Sequence, residues 1–382
     1  MKPTDTLLLI TVLAITGCGE HKQSDTIITV NVTENYPKKE LILQDFMDVE
    51  YIALETTDEF LCDGTILAVG QEFIFVKNRS SNSGDIFIFD RNGNALRKIN
   101  RKGRGAGEYL QVVGIILDEV NGEFFVNDGL HTMSVYDFWG NFKRNFAQNV
   151  GFNGFAYNFD TKSLICSDGR FFAGTITQKI PLFTILSKQD GTVVKEIDIP
   201  LEQKKKAQID IVDNEGNIRG VSPMDDYPII PYRDSWILTE PSSDTVFRYF
   251  PNHSMIPIMV RTPSVHSMNP EVFLFPSILT DHYYFMRTQK REMNGKVVPL
   301  VYDRQEKAIY EYRVFNDDYS PKEPVYMAKK TISHEIAFCQ TLGADKLVEA
   351  YTKGALKGKL KEITAELQED SNPIIMLVKY KK

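Results

Sequence analysis

The sequence predicts an all-β fold, a six-bladed β-propeller of four-stranded antiparallel blades, and three observations lead to it. Short aromatic and β-branched runs separated by turn clusters fill the body of the 382-residue chain, the pattern of a sandwich, barrel or propeller. A strand–turn–strand unit returns at blade-sized intervals. The chain is also longer than a single core usually grows, yet it suits a ring that adds blades.

The best copy of the unit is Asp85-Ile-Phe-Ile-Phe-Asp90-Arg-Asn-Gly93-Asn-Ala-Leu-Arg-Lys98. It returns as Met133-Ser-Val-Tyr-Asp137-Phe-Trp-Gly140-Asn-Phe-Lys-Arg144, with the glycines 47 residues apart, and again around Asp190-Gly191, 51 residues later. Degenerate copies begin at Val246 and Leu300. Each reads as the third and fourth strands of a blade, with glycine or asparagine supplying a left-handed turn.

Inner strands are predicted upstream of each hairpin: 65–69 and 73–77, 112–117 and 123–127, 155–159 and 163–167, then 235–239 and 283–287 as the second strands of blades 4 and 5. Blade 6 takes 334–339, 346–351 and 373–380 and lacks a fourth strand. Residues 25–32 alternate suitably and are predicted to pair with the C-terminal strand, closing the ring and removing two exposed edges. Leu356, Leu360, Ile363 and Leu367 fall at helical spacing, so 355–369 is predicted as an amphipathic helix that covers apolar surface in the last blade.

The N-terminus reads as an export signal. Lys2 gives a thin basic region, and the apolar run 7–15 is too short to span a bilayer. It ends in Ile15-Thr16-Gly17-Cys18, which resembles the lipobox of lipoproteins. The expected organisation is a signal peptide over 1–17, a lipidated Cys18 at the head of an 18–24 tether, and a propeller over 25–382. More than one acyl chain on Cys18 would make membrane attachment stable. Gly19-Glu20-His21-Lys22 places no aspartate beside the lipidated cysteine, which favours the outer membrane, on its periplasmic side.

The formal net charge is −7, a balance that argues against nucleic acid as a partner. Cys62, Cys166 and Cys339 are widely spaced, make no metal pattern and read as buried free thiols, with one disulfide in an oxidising periplasm as the alternative. No nucleophile elbow, zinc-protease motif or P-loop is present.

Three passages resemble the six-bladed β-propeller lipoproteins of Gram-negative envelopes that carry NHL-type repeats. They are Val49-Glu-Tyr-Ile-Ala-Leu-Glu-Thr56, then Ile99-Asn-Arg-Lys-Gly103-Arg-Gly105-Ala-Gly107-Glu-Tyr109, and Asn372-Pro-Ile-Ile-Met-Leu-Val378. The resemblance spans the mature chain and implies fold and location; it supplies no catalytic residues.

In such a ring the loops between blades share one face with those joining second to third strands. That face would gather Arg101, Lys102, Arg104, Glu108 and Tyr109 with Asp128, His131, Asp168 and Arg170, a mixed-charge surface suited to an anion such as a carboxylate or an acidic sugar. The favoured function is a non-catalytic binding or scaffold module for a glycan, a peptide or an envelope protein, with no cofactor. The alternative is a hydrolase or lyase using a divalent cation in the channel, with Glu108, Asp128 and Asp168 as ligands.

Overall fold

The computed structural model describes residues 27–79, 83–129, 132–147, 155–167, 181–213, 215, 217–224 and 226–381. Six antiparallel blades stand around a central channel. Blade 1 is Thr65–Val69, Phe73–Lys77, Asp85–Asp90 and Ala95–Asn100. Blade 2 is Gly114–Asp118, Glu123–Asn127, Thr132–Asp137 and Phe142–Ala147. Blade 3 is Ala156–Asn158, Ser163–Ser167, Phe183–Ser187 and Val193–Ile197. Blade 4 comprises Ile229–Tyr232, Ser235–Leu238, Thr245–Tyr249 and Met255–Thr262; blade 5 comprises Val272–Leu279, Tyr283–Lys290, Val297–Asp303 and Ala308–Asn316. In blade 6 the strands Ile336–Leu342, Ile374–Tyr380 and Met47–Ala53 pair, and residues 330–332 run irregularly along the channel in the innermost place.

The middle strands are apolar on both faces because a neighbouring blade covers each face. Asp85–Asp90 buries its four central residues, whereas the outer strand Val193–Ile197 buries one. Six hydrophobic clusters fill the six junctions between blades. Phe75 and Ile88 meet Phe124 and Tyr136 between blades 1 and 2, for example, and Ile185 meets Trp236 and Leu238 between blades 3 and 4.

The repeated turn is built by its aspartate. Asp90 Oδ1 accepts the N–H groups of Asn92 and Asn94 at 2.8 and 2.9 Å, while Asn94 Nδ2 donates to Asp90 Oδ2. Asp137 does the same for Trp139 and Asn141. Gly93 and Gly140 sit at φ +89° and +82°, where a side chain is strained. Asp213 repeats the arrangement with Glu215 and Asn217, in a hairpin of Gln208–Val212 and Ile218–Pro223 inserted between blades 3 and 4. That hairpin was not predicted, although its Asp-x-x-Gly-Asn spacing matches the blade turns.

The ring does close between its N- and C-terminal parts, but not through residues 25–32. Ile28–Asn31 lies parallel to Met255–Thr262 on blade 4, with Val30 opposite Arg261. Lys38–Ile42 then lies parallel to Ala308–Asn316 on blade 5, and only afterwards does Met47–Ala53 pair with Ile374–Tyr380, Tyr51 opposite Met376. The N-terminal chain thus covers the outer edges of two blades before completing a third. Alternation identifies a strand, but it does not name its partner.

The last blade differs from the sequence expectation as well. Residues 346–351 belong to a helix, Ala344–Thr352, and the predicted 355–369 helix is the shorter Gly358–Thr364. Leu347, Leu356 and Leu360 pack into the cluster between blades 5 and 6 with Phe285 and Met376, so the covering role is observed. Among the described residues Cys62, Cys166 and Cys339 are free thiols, and burial pushes the Cys62 thiol up to about 11 and the Cys339 thiol up to about 12. No helix of the described residues is long and apolar enough to cross a membrane.

Candidate functional site

The loop 101–109 folds back on itself. Gly103 N–H donates to the Tyr109 carbonyl at 3.1 Å, and Tyr109 N–H donates to the Arg101 carbonyl at 3.0 Å. The Tyr109 ring is 1% exposed and lies edge-on to Tyr136. Its hydroxyl donates to the Gly84 carbonyl at 2.7 Å and accepts from Arg101 N–H at 3.0 Å. The Tyr136 hydroxyl donates to the Gly107 carbonyl at 3.0 Å, and a Cβ on Gly107 would lie 2.6 Å from Phe142. Tyr109 is therefore a wedge between blades 1 and 2 and presents no surface to a ligand.

The other predicted residues are dispersed in role. Glu108 accepts Gly105 N–H at 2.6 Å, and Arg101 Nε donates to the Gly140 carbonyl at 3.0 Å. Lys102 and Arg104 are exposed. Asp128 is 6% exposed and already has an interaction partner. His131, Asp168 and Arg170 lie outside the described residues, as does Cys18. Among the described residues no group of three or more His, Cys, Asp or Glu side chains is placed to hold a metal.

The concavity of the ring is elsewhere. A cavity of about 440 Å³ opens in the channel, within the size range of ligand pockets. Its mouth is formed by turns between first and second strands, at Gly70, Gln71, Glu119, Val120, Asp160 and Ser333. These turns lie on the face opposite the 101–109 loop. Leu67, Ile115, Ala156, Pro231 and Lys330 bound the interior.

Hydrogen bonds across blades make the mouth rigid. Glu119 of blade 2 accepts the N–H groups of Gln71, Glu72 and Phe73 at 2.6, 2.9 and 3.1 Å, fixing the blade 1 turn. Lys188 of blade 3 reaches Asp118 at 2.8 Å and the Asp160 carbonyl at 2.8 Å. The two charged side chains are 5% and 2% exposed. Asn121 adds a bond to Asp118 and another to the Thr161 carbonyl.

His334 stands at the mouth, edge-on to Trp236 at 5.2 Å. Burial pushes its imidazole below the usual value, opposed by a hydrogen bond to the Arg233 backbone and by the Asp234 charge. Its Nδ1 has no partner among the described residues, nor do Asn158 Oδ1 and Trp236 Nε1. Buried polar atoms of this kind are rare in folded proteins. Because the folded-state pKa is depressed, the neutral ring stabilises the fold above about pH 6.5, and that contribution is lost as pH falls through the folded value. His334→Phe is expected to flatten the thermal-stability profile below about pH 6.5; an unchanged profile would show that the ring is not held neutral.

The sequence reading missed this site. Asp118 and Lys188 each end or follow a strand as ordinary polar residues, His334 reads as the first residue of a predicted strand that in the structure begins at Ile336, and Lys330 lies before it with no motif of its own. No local signal marks them, since the ring closure brings them together.

A second polar group lies toward the face of the inter-blade loops. Burial and the Glu240 charge push the Asp226 carboxyl up to about 8, against the pull of Arg287 and Lys204. Glu240 pairs with Lys204 at 3.3 Å. Glu240 follows the second strand of blade 4, whereas Arg287 lies within that of blade 5; Asp226 carries no sequence mark of such a position.

The family model for a domain of unknown function, DUF4934, matches residues 27–379. The chain belongs to the DUF4934 family. No curated protein matches it in sequence. Among solved structures, this DUF4934 propeller is similar to a Bacteroides fragilis protein described as exported, with 15% identity, 94% and 100% of the two chains covered and a TM-score of 0.59. A DUF4221 family member from Bacteroides vulgatus shows 11% identity over 89% and 99% of the chains, with a TM-score of 0.46. The likeness to the exported protein speaks to the fold alone.

Proposed function

We propose that this DUF4934 propeller is an exported, non-catalytic binding module that takes a small polar ligand into its central channel. The channel cavity carries the reading: it is bounded by five of the six blades, its mouth is fixed by Glu119 and the Asp118–Lys188 pair, and it presents apolar wall with a few polar groups. A glycan unit or a peptide end is the ligand class that fits. The lipobox at Cys18 and the similarity to a protein described as exported support a lipid-anchored location in the outer membrane, on its periplasmic side, with the channel available to soluble ligands.

A thermal-shift screen against glycan fragments and short peptides tests the assignment. Val120 is 79% exposed at the mouth, so Val120→Tyr is expected to leave the melting temperature unchanged and weaken a channel ligand about tenfold. Arg104→Ala on the opposite face is expected to leave binding intact. Loss of binding in Arg104→Ala with retention in Val120→Tyr would move the site to the 101–109 loop.

A further inference from the structure

Lys330 is the charged residue of the channel that the ring leaves uncompensated. Its side chain is accessible within the cavity, yet protein encloses it. The ammonium lies 5.1 Å from the centre of the Phe155 ring and 5.5 Å from that of Tyr157. No carboxylate reaches ion-pair distance of it among the described residues, and its interactions are with these two rings and, electrostatically, with the weakly acidic Cys339 thiol.

Lys329 beside it lies 5.6 Å from the Phe338 ring centre, with no acidic partner among the described residues. Burial pushes both ammonium groups below the usual lysine value. Contrast Lys188, at the mouth of the same channel, which the fold pairs with Asp118 at 2.8 Å. A chain with a formal net charge of −7 has many carboxylates to offer, but none of those described is placed here.

We propose that the inner end of the channel is a carboxylate-binding site, in which Lys330 is the charge-bearing contact and the Phe155 and Tyr157 rings form its walls. The proposal rests on the channel reading above and deepens it by naming the chemical class of the ligand. An ammonium held in a concave, largely apolar channel without a counter-charge is less well solvated than one on an open surface, and aromatic faces offset only part of that cost. A carboxylate entering the cavity supplies the missing charge in a low-dielectric setting where the attraction is strong. Ligand hydroxyl groups or amides beside the carboxylate would meet Asn158 and His334 nearer the mouth.

The test follows the Lys330 side chain directly, by NMR of purified protein containing lysine labelled with carbon-13 at Cε, the signal being assigned with Lys330→Arg. Acetate and acetamide serve as a matched pair, charged and neutral. Acetate is expected to shift the Lys330 signal saturably and raise the pH at which it titrates, binding at least about tenfold tighter than acetamide. Glucuronate against glucose, and triglycine against its C-terminal amide, then separate an acidic sugar from a peptide carboxylate. A carboxylate preference in either pair supports the site. Lys330→Met, which keeps the packing over both rings, is expected to abolish that preference, and Lys330→Arg to retain it. Absence of a saturable acetate shift overturns the proposal, as does a preference that survives in Lys330→Met. A neutral compound that binds in the channel as tightly as its acid overturns it too, while leaving the binding-module reading standing.

Discussion

Asn372→Leu is expected to cost about 3–5 kcal/mol of stability, more than any other single side chain on the ring's seam. Asn372 is fully buried. Its Oδ1 accepts Cys62 N–H at 2.8 Å, its Nδ2 donates to the carbonyls of Glu55 and Phe60, and its own N–H donates to Thr56 Oγ1 at 2.8 Å. Leucine has the same branched shape in a larger volume and would leave the buried Cys62 N–H and the part-buried Glu55 and Phe60 carbonyls without their partner, and an unsatisfied buried group costs about 1–3 kcal/mol. Thr56→Val removes one bond only and is expected to cost about 1 kcal/mol. Chemical denaturation of both variants checks the ranking; equal losses would show that the asparagine does not hold the seam.

Lys188→Met is expected to lose about 3–5 kcal/mol, because it leaves the Asp118 carboxylate, 2% exposed, without its counter-charge. The loss comes from the stranded carboxylate and not from the attraction removed. Asp118→Asn combined with Lys188→Met is therefore expected to recover most of it, since the amide can keep the position without the charge. The pair joins blade 2 to blade 3, and Arg144 reinforces the same junction by bonding Glu123 through both terminal nitrogens and donating to the Lys188 carbonyl. A double variant no more stable than the single one would mean that Lys188 acts through its bond to the Asp160 carbonyl instead.

The two ends of the chain show what a sequence can and cannot reveal. Val49 to Thr56 and Asn372 to Val378 stand out as motifs, with Thr56 and Asn372 316 residues apart, and the structure explains both: one pairs with the other, and Asn372 bonds the chain at Glu55 and Thr56. The repeated Asp–Gly turns locate the outer hairpins because the turn chemistry is local. Partner choice is not local. Residues 25–32 carry the right alternation, and the part of them that is described pairs with blade 4, because nothing in a period of two distinguishes one sheet edge from another. The same limit applied to function. Glycines and cations made the 101–109 loop conspicuous, yet Gly107 is there to let the chain close onto Phe142 and Tyr136, and Tyr109 to fill a seam. Lys330 and His334 sit in irregular chain that only ring closure turns toward a cavity.

Hydrogen–deuterium exchange with a bound ligand tests most directly whether the channel is where this propeller binds. Occupancy of the cavity is expected to slow exchange at the mouth turns, residues 70–73, 119–122 and 333–336, with the 101–109 loop unchanged. Protection confined to residues 101–109, with the mouth turns exchanging as in the free protein, would contradict the channel as the binding site.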